Sequence, residues 1–432
     1  MKEQGKIPVG KVQRAAKFAR AGMRVGGNYI KHYSKRALGV KKDKEELDSE
    51  NAEVLYDSLS ELKGSALKVA QMLSMDSQML PTAYLEKFAE AQYNAPPLSY
   101  PLVVKTFKTQ FKKNPEEVFE TFTRNAVNAA SIGQVHKAEL NGKKLAVKIQ
   151  YPGVAESVRS DLRMVKPFAL RLLNMREKDV EPYIKEVEER LLEETDYELE
   201  VKRSMHISKA SKNLENLTFP GYYPEYSGSR IITMDWLKGV PIKEFIAQKP
   251  SQEIRNKVGQ TLWDFTDFQI HNLKMLHADP HPGNFLIQED GTVGVIDFGC
   301  VKEVPEDFYQ NYFAIVRGDI LENEEALDKA LWDLEFYKEG DDPEKRNFYR
   351  GLLVESIRLV TRPFRNETFD FGESKFFEDL HAYGEKMQKD KTLRNSDSAR
   401  GSAHGIYINR TYFGLYNILH QLGATVNTGL KV

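Results

Sequence analysis

Apolar residues recur at intervals of three and four along most of this chain, and at intervals of two only in short stretches between residues 132 and 296. The first spacing predicts amphipathic helices and the second half-buried strands. Leu55, Leu59, Leu62, Ala66, Val69 and Leu73 form one continuous stripe, so a helix is expected to run to a turn near Asp76, before Pro81. Further helices are expected over Tyr84–Gln92, halted by Pro96-Pro97, and over Leu102–Phe111. Asn114-Pro115 reads as the cap and first residue of a short helix through Phe122. Ala138 and Leu140, then Leu145, Val147 and Ile149, alternate on either side of Asn141-Gly142, a two-residue hairpin turn. Ile132 and Val135 break that alternation, so the start of the first strand is not fixed by the pattern.

Downstream, a helix is expected over Val154–Met175 with a kink or break at Pro167, and one long charged helix over Glu181–Ala210. Arg230–Asp235 reads as a strand. Ser251 caps a helix whose stripe (Ile254, Val258, Leu262, Phe265, Gln269, Leu276) delivers His277, with Trp263 and Phe268 as core residues. Asp290-Gly291 between Phe285–Ile287 and Val293–Ile296 predicts a second hairpin. After Cys300 the pattern is helical: Phe308–Val316, Asn323–Trp332, Lys345–Leu359, a short helix around Phe376–Tyr383, and His404–Leu422.

A chain of 432 residues has room for two or three domains, or for a two-lobed catalytic unit with an extension. Its 62 Lys and Arg nearly cancel its 63 Asp and Glu, which excludes a global nucleic-acid footprint. One cysteine, Cys300, excludes a disulfide framework and suits a reducing compartment. No run of 18 apolar residues and no signal-peptide core occurs, so the expected location is cytoplasmic with no transmembrane segment. Residues 1–42 are strongly basic, with Val12, Ala16, Ala19 and Met23 at helical spacing and Gly22, Gly26 and Gly27 interrupting. Two readings stay open for them: a helix in peripheral contact with an anionic membrane, on its inner face, or a solvated basic helix packed on the protein.

The chemistry concentrates in HADPHPGNFLIQEDGTVGVIDFG, residues 277–299. Asp279, Asn284 and Asp297 stand at one edge of the expected hairpin. A kinase-like catalytic loop needs a carboxylate to handle the acceptor hydroxyl, and an Asn and an Asp to hold magnesium against phosphates. His277 and His281 could be written with Asp279 and Asp297 as a different metal-ligand set, but phosphate-bound magnesium accounts for Asn284 and Asp297 together. Upstream, Lys148 closes an A-V-K pattern like that of a phosphate-pairing lysine. The loop before it is Ala129-Ala130-Ser131 rather than glycine-rich, and no P-loop or dinucleotide fingerprint occurs. Glu194, Asp196 and Glu200 are all candidates to orient Lys148. The backbone around Met234, Asp235 and Trp236 would form the adenine-binding hinge. No A-P-E-like sequence follows Asp297-Phe298-Gly299.

AASIGQVHKAEL, AVKIQYPGV, EETDYELE, HADPHPGN and DFG in this order resemble the UbiB/aarF family of atypical kinase-like proteins (ADCK in animals) over roughly residues 45–390. The resemblance implies an α+β, two-lobed protein-kinase-like fold with an added N-terminal helical extension packed over the active site. It implies ATP or ADP and Mg2+ as ligands and an isoprenoid lipid or quinone precursor as partner. The implied activity is that of an ATPase or small-molecule kinase; the alternative is a nucleotide-gated scaffold, and an ordinary protein kinase is disfavoured. Lys68 and Gln71 match the family's K-x-G-Q motif, with Ala70 in place of its glycine. Glu194 and Asp196 match E-x-D; both pairs are implied to restrict access. Ala129, Ala130 and Ser131 match the alanine-rich loop, Lys148 the phosphate lysine, and Glu200 its partner. Asp279 matches the catalytic-loop Asp, and Asn284 and Asp297 the magnesium ligands. The expected division is a basic segment (1–48), the helical extension (49–118), an N-lobe (119–235) and a helical C-lobe (236–432).

Overall fold

The computed structural model describes residues 11–37, 44–62, 84, 87, 98–129, 132–173, 177–278, 281–318, 320–394 and 400–429. They form two compact units: one up to Lys202 with Gly221–Trp236, the other Arg203–Pro220 with the chain from Leu237.

In the first unit, helix α1 (Lys11–Ala37) packs against α2 (Lys44–Leu62) and against a later helix, α5 (Val154–Leu173). The glycines do not interrupt α1; a Cβ at Gly26 or Gly27 would meet nothing within 4 Å, so neither is there for a close approach. Each costs about 1 kcal/mol of helix propensity, which tertiary packing offsets. Arg14, buried, forks onto Asp161 of α5 (Nε to Oδ1, 2.7 Å), and Asn28 donates to Asn51 of α2. The packed face is therefore Arg14, Ala21 and His32, and the stripe of Ala16, Ala19 and Met23 faces outward, with Met23 68% and Ile30 70% exposed. Helix α2 runs without a break across residue 48.

Helix α3 (Tyr100–Phe111) buries Val103 and Phe107. The helix expected through Phe122 is only one turn, α4 (Pro115–Val118), entered by a capping box from Asn114 and Glu117. It ends because Phe119 and Phe122 leave to pack around Phe107, and strand β1 (Thr121–Phe122) pairs with Glu139 and Ala138. Strand β2 (Asn128–Ala129) continues that edge along β3 (Gly133–Leu140), which Asn141-Gly142 joins to β4 (Lys143–Gln150). Both turn residues have positive φ, 52° and 73°, as a primed two-residue turn requires. Strand β4 sends Leu145, Val147 and Ile149 into the core shared with α3, so period two turns Lys148 and Gln150 to the opposite face.

Helix α5 (Val154–Leu173) contains Pro167 within its length. The charged stretch beyond it is two helices, α6 (Glu177–Glu194) and α7 (Tyr197–Ala210), because Asp196 caps the second by accepting the Leu199 N–H. Gln150 on β4 fixes the break by donating to the Thr195 carbonyl, 2.8 Å. Leu217–Thr218 forms β5, and β6 (Ile231–Asp235) pairs with β4 on its far side.

The second unit carries β7 (Val240–Pro241), α8 (Ile242–Ala247) and α9 (Gln252–Phe268), the last capped by Ser251. The stripe expected to continue as helix to Leu276 instead passes through a π-helical turn, Gln269–Leu273, and a left-handed Lys274 into β8 (Met275–His277). Leu276 is buried as a strand residue because β8 pairs with β11 (Val301–Glu303). Strands β9 (Phe285–Ile287) and β10 (Val293–Val295) form the predicted hairpin; Gln288 N–H still bonds the Thr292 carbonyl (2.9 Å), and Gly291 takes φ 83°. Helices α10 (Glu306–Arg317), α11 (Glu324–Asp333), α12 (Pro343–Val360), α13 (Ser374–Lys389), α14 (Lys391–Arg394) and α15 (Ala403–Leu422) follow, with β12 (Thr368–Asp370) pairing β13 (Thr425–Asn427). Helix α13 is twice the length expected around Phe376–Tyr383, because Phe376 and Phe377 pack on Phe369, Tyr416 and His420.

The π-helical turn carries a titration consequence. His271 Nδ1 meets the Tyr309 hydroxyl at 2.7 Å and its ring packs on Phe313; burial, then Lys274 and Arg317, push its pKa down to about 4. Unfolded, the same imidazole titrates near its ordinary value of about 6.5. Below that value the unfolded chain takes a proton the native state refuses. Stability carried by neutral His271 is therefore complete above pH ~6.5 and falls until pH ~4, by roughly 3 kcal/mol in total. Urea unfolding across that window should show His271→Gln losing less stability than the parent; parallel pH profiles would contradict the assignment.

Candidate functional site

In the first unit, Lys148 Nζ reaches Glu200 Oε1 at 2.7 Å, the two side chains 13% and 4% exposed. Of the three acidic candidates it is Glu200 that meets the lysine, since the break at Thr195-Asp196 restarts the helix and sets which face of α7 turns to β4. Asp196 is exposed and serves as that helix's cap, and Glu194 is buried. The Lys148 ammonium also lies 5.2 Å from the centroid of the Tyr197 ring.

Ala129, the first residue of the alanine-rich loop, ends β2 and pairs with Gln134 of β3. Ala130 and Ser131 lie outside the described residues, as do Lys68 and Gln71. Gly133, just past the loop, is required by close approach: a Cβ there would stand 2.7 Å from the Tyr197 hydroxyl oxygen and 2.8 Å from the Ile149 carbonyl oxygen. At the other edge of the sheet, Asp235 N–H donates to Gly221 O and Trp236 N–H to Lys144 O, both 2.9 Å. The Asp235 carboxylate accepts from Gly221 N–H and the Tyr223 hydroxyl, and Met234 is buried. Two donors of the expected hinge are thus already used within the protein.

In the second unit, the hairpin register sets Val295 against Phe285, and Ile296 N–H bonds the Asn284 carbonyl at 3.1 Å. Asn284 and Asp297 are consequently brought to adjoining positions, both half-buried. Asp297 Oδ1 accepts the Gly299 N–H at 2.8 Å, and Phe298 is fully buried with its edge on the His277 ring, 5.6 Å away. The His277 backbone N–H donates to the side-chain oxygen of Gln269 at 2.8 Å. His281 Nδ1 accepts from Gly283 N–H at the start of the turn Pro282–Asn284. Asp279 lies outside the described residues. Among the described residues no group of three or more His, Cys, Asp and Glu converges as on a metal ion.

The donor chemistry fits a nucleotide with magnesium: an oriented, semi-buried ammonium suits phosphate, and half-buried carboxylate and amide oxygens suit a hard, oxygen-seeking cation. Gln134, His136 and Gln269, whose buried polar side chains each make a hydrogen bond, were not legible as such in the sequence. Their signal was a polar side chain at a position whose neighbours in the same register are core.

Residues 90–331 match the ABC1 atypical kinase-like domain. The chain is 26% identical to the protein named "Probable serine/threonine-protein kinase abkA" of Dictyostelium discoideum, over 98% of this chain and 79% of that one. It is 27% identical to the zebrafish (Danio rerio) mitochondrial atypical kinase COQ8B, over 86% of this chain but 60% of the relative, so it spans less than two thirds of that protein. The Saccharomyces cerevisiae mitochondrial atypical kinase COQ8 is 26% identical, over 88% and 75%. Among solved structures, the complex of Rv3197 with erythromycin from Mycobacterium tuberculosis superposes with a TM-score of 0.59 at 29% identity, covering 89% of this chain and 95% of that one. With the kinase-like α+β fold in two units, the oriented lysine and the Asn–Asp edge, the match places this chain in the ABC1 (UbiB/ADCK) family of atypical kinase-like proteins.

Proposed function

We propose that this chain binds ATP or ADP with Mg2+ and either hydrolyses ATP or transfers its terminal phosphoryl group to a small molecule, in support of quinone or other isoprenoid-lipid metabolism. The observation that carries this is the Lys148–Glu200 bond, which holds a nearly buried ammonium in one orientation beside the Ala129–Gln134 pair. Lys148 binds phosphate oxygens, Asp279 orients the attacking hydroxyl or water, and Asn284 and Asp297 hold the metal. Magnesium, when bound, neutralises charge on the phosphates. Around Met234, Asp235 and Trp236, adenine meets backbone carbonyls rather than the two engaged N–H groups. Lys68 and Gln71, with Glu194 and Asp196, restrict access to the acceptor. The lipid setting rests on the family. It is supported by the outward stripe of α1, where Met23 and Ile30 stand among Arg20, Arg24 and Lys31, a surface suited to anionic lipid. No described helix is long and apolar enough to cross a membrane.

Magnesium-dependent ATP turnover, measured with and without anionic vesicles, is expected to fall at least ~10-fold in Asp297→Asn. Equal turnover in the two proteins rules the reading out. Nucleotide-dependent thermal stabilisation with no turnover in either supports the nucleotide-gated scaffold, which the alanine-rich loop also favours, since alanine restricts the positive-φ conformations glycine allows.

A further inference from the structure

Strand β3 turns Gln134, His136 and Ala138 to its core face, opposite Ile149, Val147 and Leu145 of β4. Two of those three are polar, and they are 1% and 0% exposed. Gln134 Oε1 accepts the backbone N–H of Leu98 at 2.6 Å. Its amide nitrogen faces His136 Nε2 at 2.8 Å, and His136 Nδ1 faces the Thr123 carbonyl at 2.7 Å. The roles are then forced. A carbonyl can only accept, so Nδ1 carries the proton; the Gln134 oxygen is committed to Leu98, so its NH2 donates and Nε2 accepts. His136 is neutral in a single tautomer, and burial lowers its pKa with no neighbouring charge contributing. Phe122 stacks on its ring at 4.9 Å.

The two ends of this relay belong to segments distant in sequence. Gln134 is the partner of Ala129 at the end of β2. Leu98 directly follows Pro96-Pro97, at the end of the stretch that carries Lys68 and Gln71, and immediately precedes the Ser99 cap of α3. Leu98 itself is buried with Ile132, the residue after the loop, and with Tyr151 and Val154. A buried, fully committed amide placed where an apolar residue would complete the strand pattern costs stability unless the bond it makes is needed.

We propose that Gln134 is a positioning residue: it ties the chain at Leu98, at the entry to α3, to Ala129 at the end of β2, the residue nearest the phosphates, and His136 locks the orientation of its amide. The phosphate part rests on the nucleotide reading above.

The test uses the full chain with Gln134→Met, which keeps the volume and removes the bond, and Gln134→Glu, which keeps an acceptor for Leu98. Amide exchange at Leu98, Ala129 and Gln134, the MgADP affinity and the imidazole nitrogen shifts of His136 are read in each. The Met protein is expected to exchange faster at Leu98 and at the Ala129–Gln134 pair together, and to bind MgADP about tenfold more weakly. In the Glu protein affinity is expected to return towards the parent, while His136 takes up a proton at Nε2 and its pKa rises, a signature that loss of packing does not give. Unchanged MgADP affinity in the Met protein, with Leu98 exchanging faster, overturns the coupling. If the parent itself does not bind MgADP, the nucleotide reading fails, and the joint or separate response of the Leu98 amide and those of Ala129 and Gln134 decides the linkage alone. Should the Met protein not fold, Gln134→Asn, one methylene too short to reach Leu98, makes the same comparison.

Discussion

Lys148→Met is expected to reduce magnesium-dependent ATP turnover by about 10²–10³-fold, with a matching loss of MgATP affinity. Removing one preorganised donor aimed at developing charge has an effect of that order, and Met keeps the length of the stem while deleting the ammonium. The same change also takes the cation away from Glu200, a carboxylate 4% exposed. Losing one partner of a buried pair destabilises by roughly 3–5 kcal/mol, so low turnover alone would not separate chemistry from folding. The double variant Lys148→Met, Glu200→Gln makes the separation, since a neutral amide at position 200 removes the buried charge. Calorimetry should show much of the lost stability regained in the double variant, while turnover and MgATP affinity stay at the level of the single one. Glu200→Gln by itself leaves the ammonium present but no longer held by a carboxylate, and a smaller loss, about tenfold, is expected. Near-parental turnover in Lys148→Met would remove this lysine from the phosphate site and, with it, the main support for nucleotide chemistry.

How far these residues could be read from sequence depended on whether the local pattern and the tertiary structure agreed. Strand β4 was legible because Leu145, Val147 and Ile149 alternate, with only the small Ala146 apolar between them, and that alternation places Lys148 on the face opposite the α3 core. The Asn141-Gly142 turn was legible for the same local reason. The local pattern did not single out Glu200 from Glu194 and Asp196; only the family resemblance named it as the partner of Lys148. Choosing among them needs the position where α7 begins, and that is set by Gln150 reaching across from β4 to the Thr195 carbonyl. The end of α9 was misread in a similar way: Leu276 keeps helical spacing but is buried by strand pairing with β11. Gln134 and His136 obscured the start of β3 because they are polar at core positions. The disruption of the pattern was itself the signal. In the N-terminal helix the apolar stripe was real, yet burial went to the face bearing Arg14, whose partner Asp161 is 147 residues away and invisible to local periodicity.

Arg400→Met is expected to destabilise the second unit by about 3–5 kcal/mol, although both Arg400 and its partner stand in stretches that read as polar connections. The guanidinium forks onto Asp341, with Nη2 to Oδ1 at 2.7 Å and the two side chains 7% and 3% exposed. It also donates to the Phe336 carbonyl at 2.8 Å and lies over the Tyr349 ring at 3.9 Å, so three kinds of contact are lost together. Asp341 is further held by the Lys338 N–H and by Lys345. These bonds, that of Arg400 foremost, hold its carboxyl well below the usual carboxylate range. A lowered folded-state value means that the stabilisation is fully present above the unfolded pKa of about 4 and is lost as pH falls through the folded one. The gap between the parent and Arg400→Met should therefore be constant from pH 7 to about pH 5 and shrink only in stronger acid. Thermal unfolding followed in that series provides the measurement. A gap that already closes near pH 6, or a cost under ~1 kcal/mol at pH 7, would place the pair among exposed ion pairs. The pair also ties the chain just before α15 to the turn that leads into α12. Arg400→Lys, which keeps the charge but cannot fork, is expected to recover only part of the loss, because a single ammonium nitrogen lacks the planar reach of the guanidinium to both carboxylate oxygens and the Phe336 carbonyl.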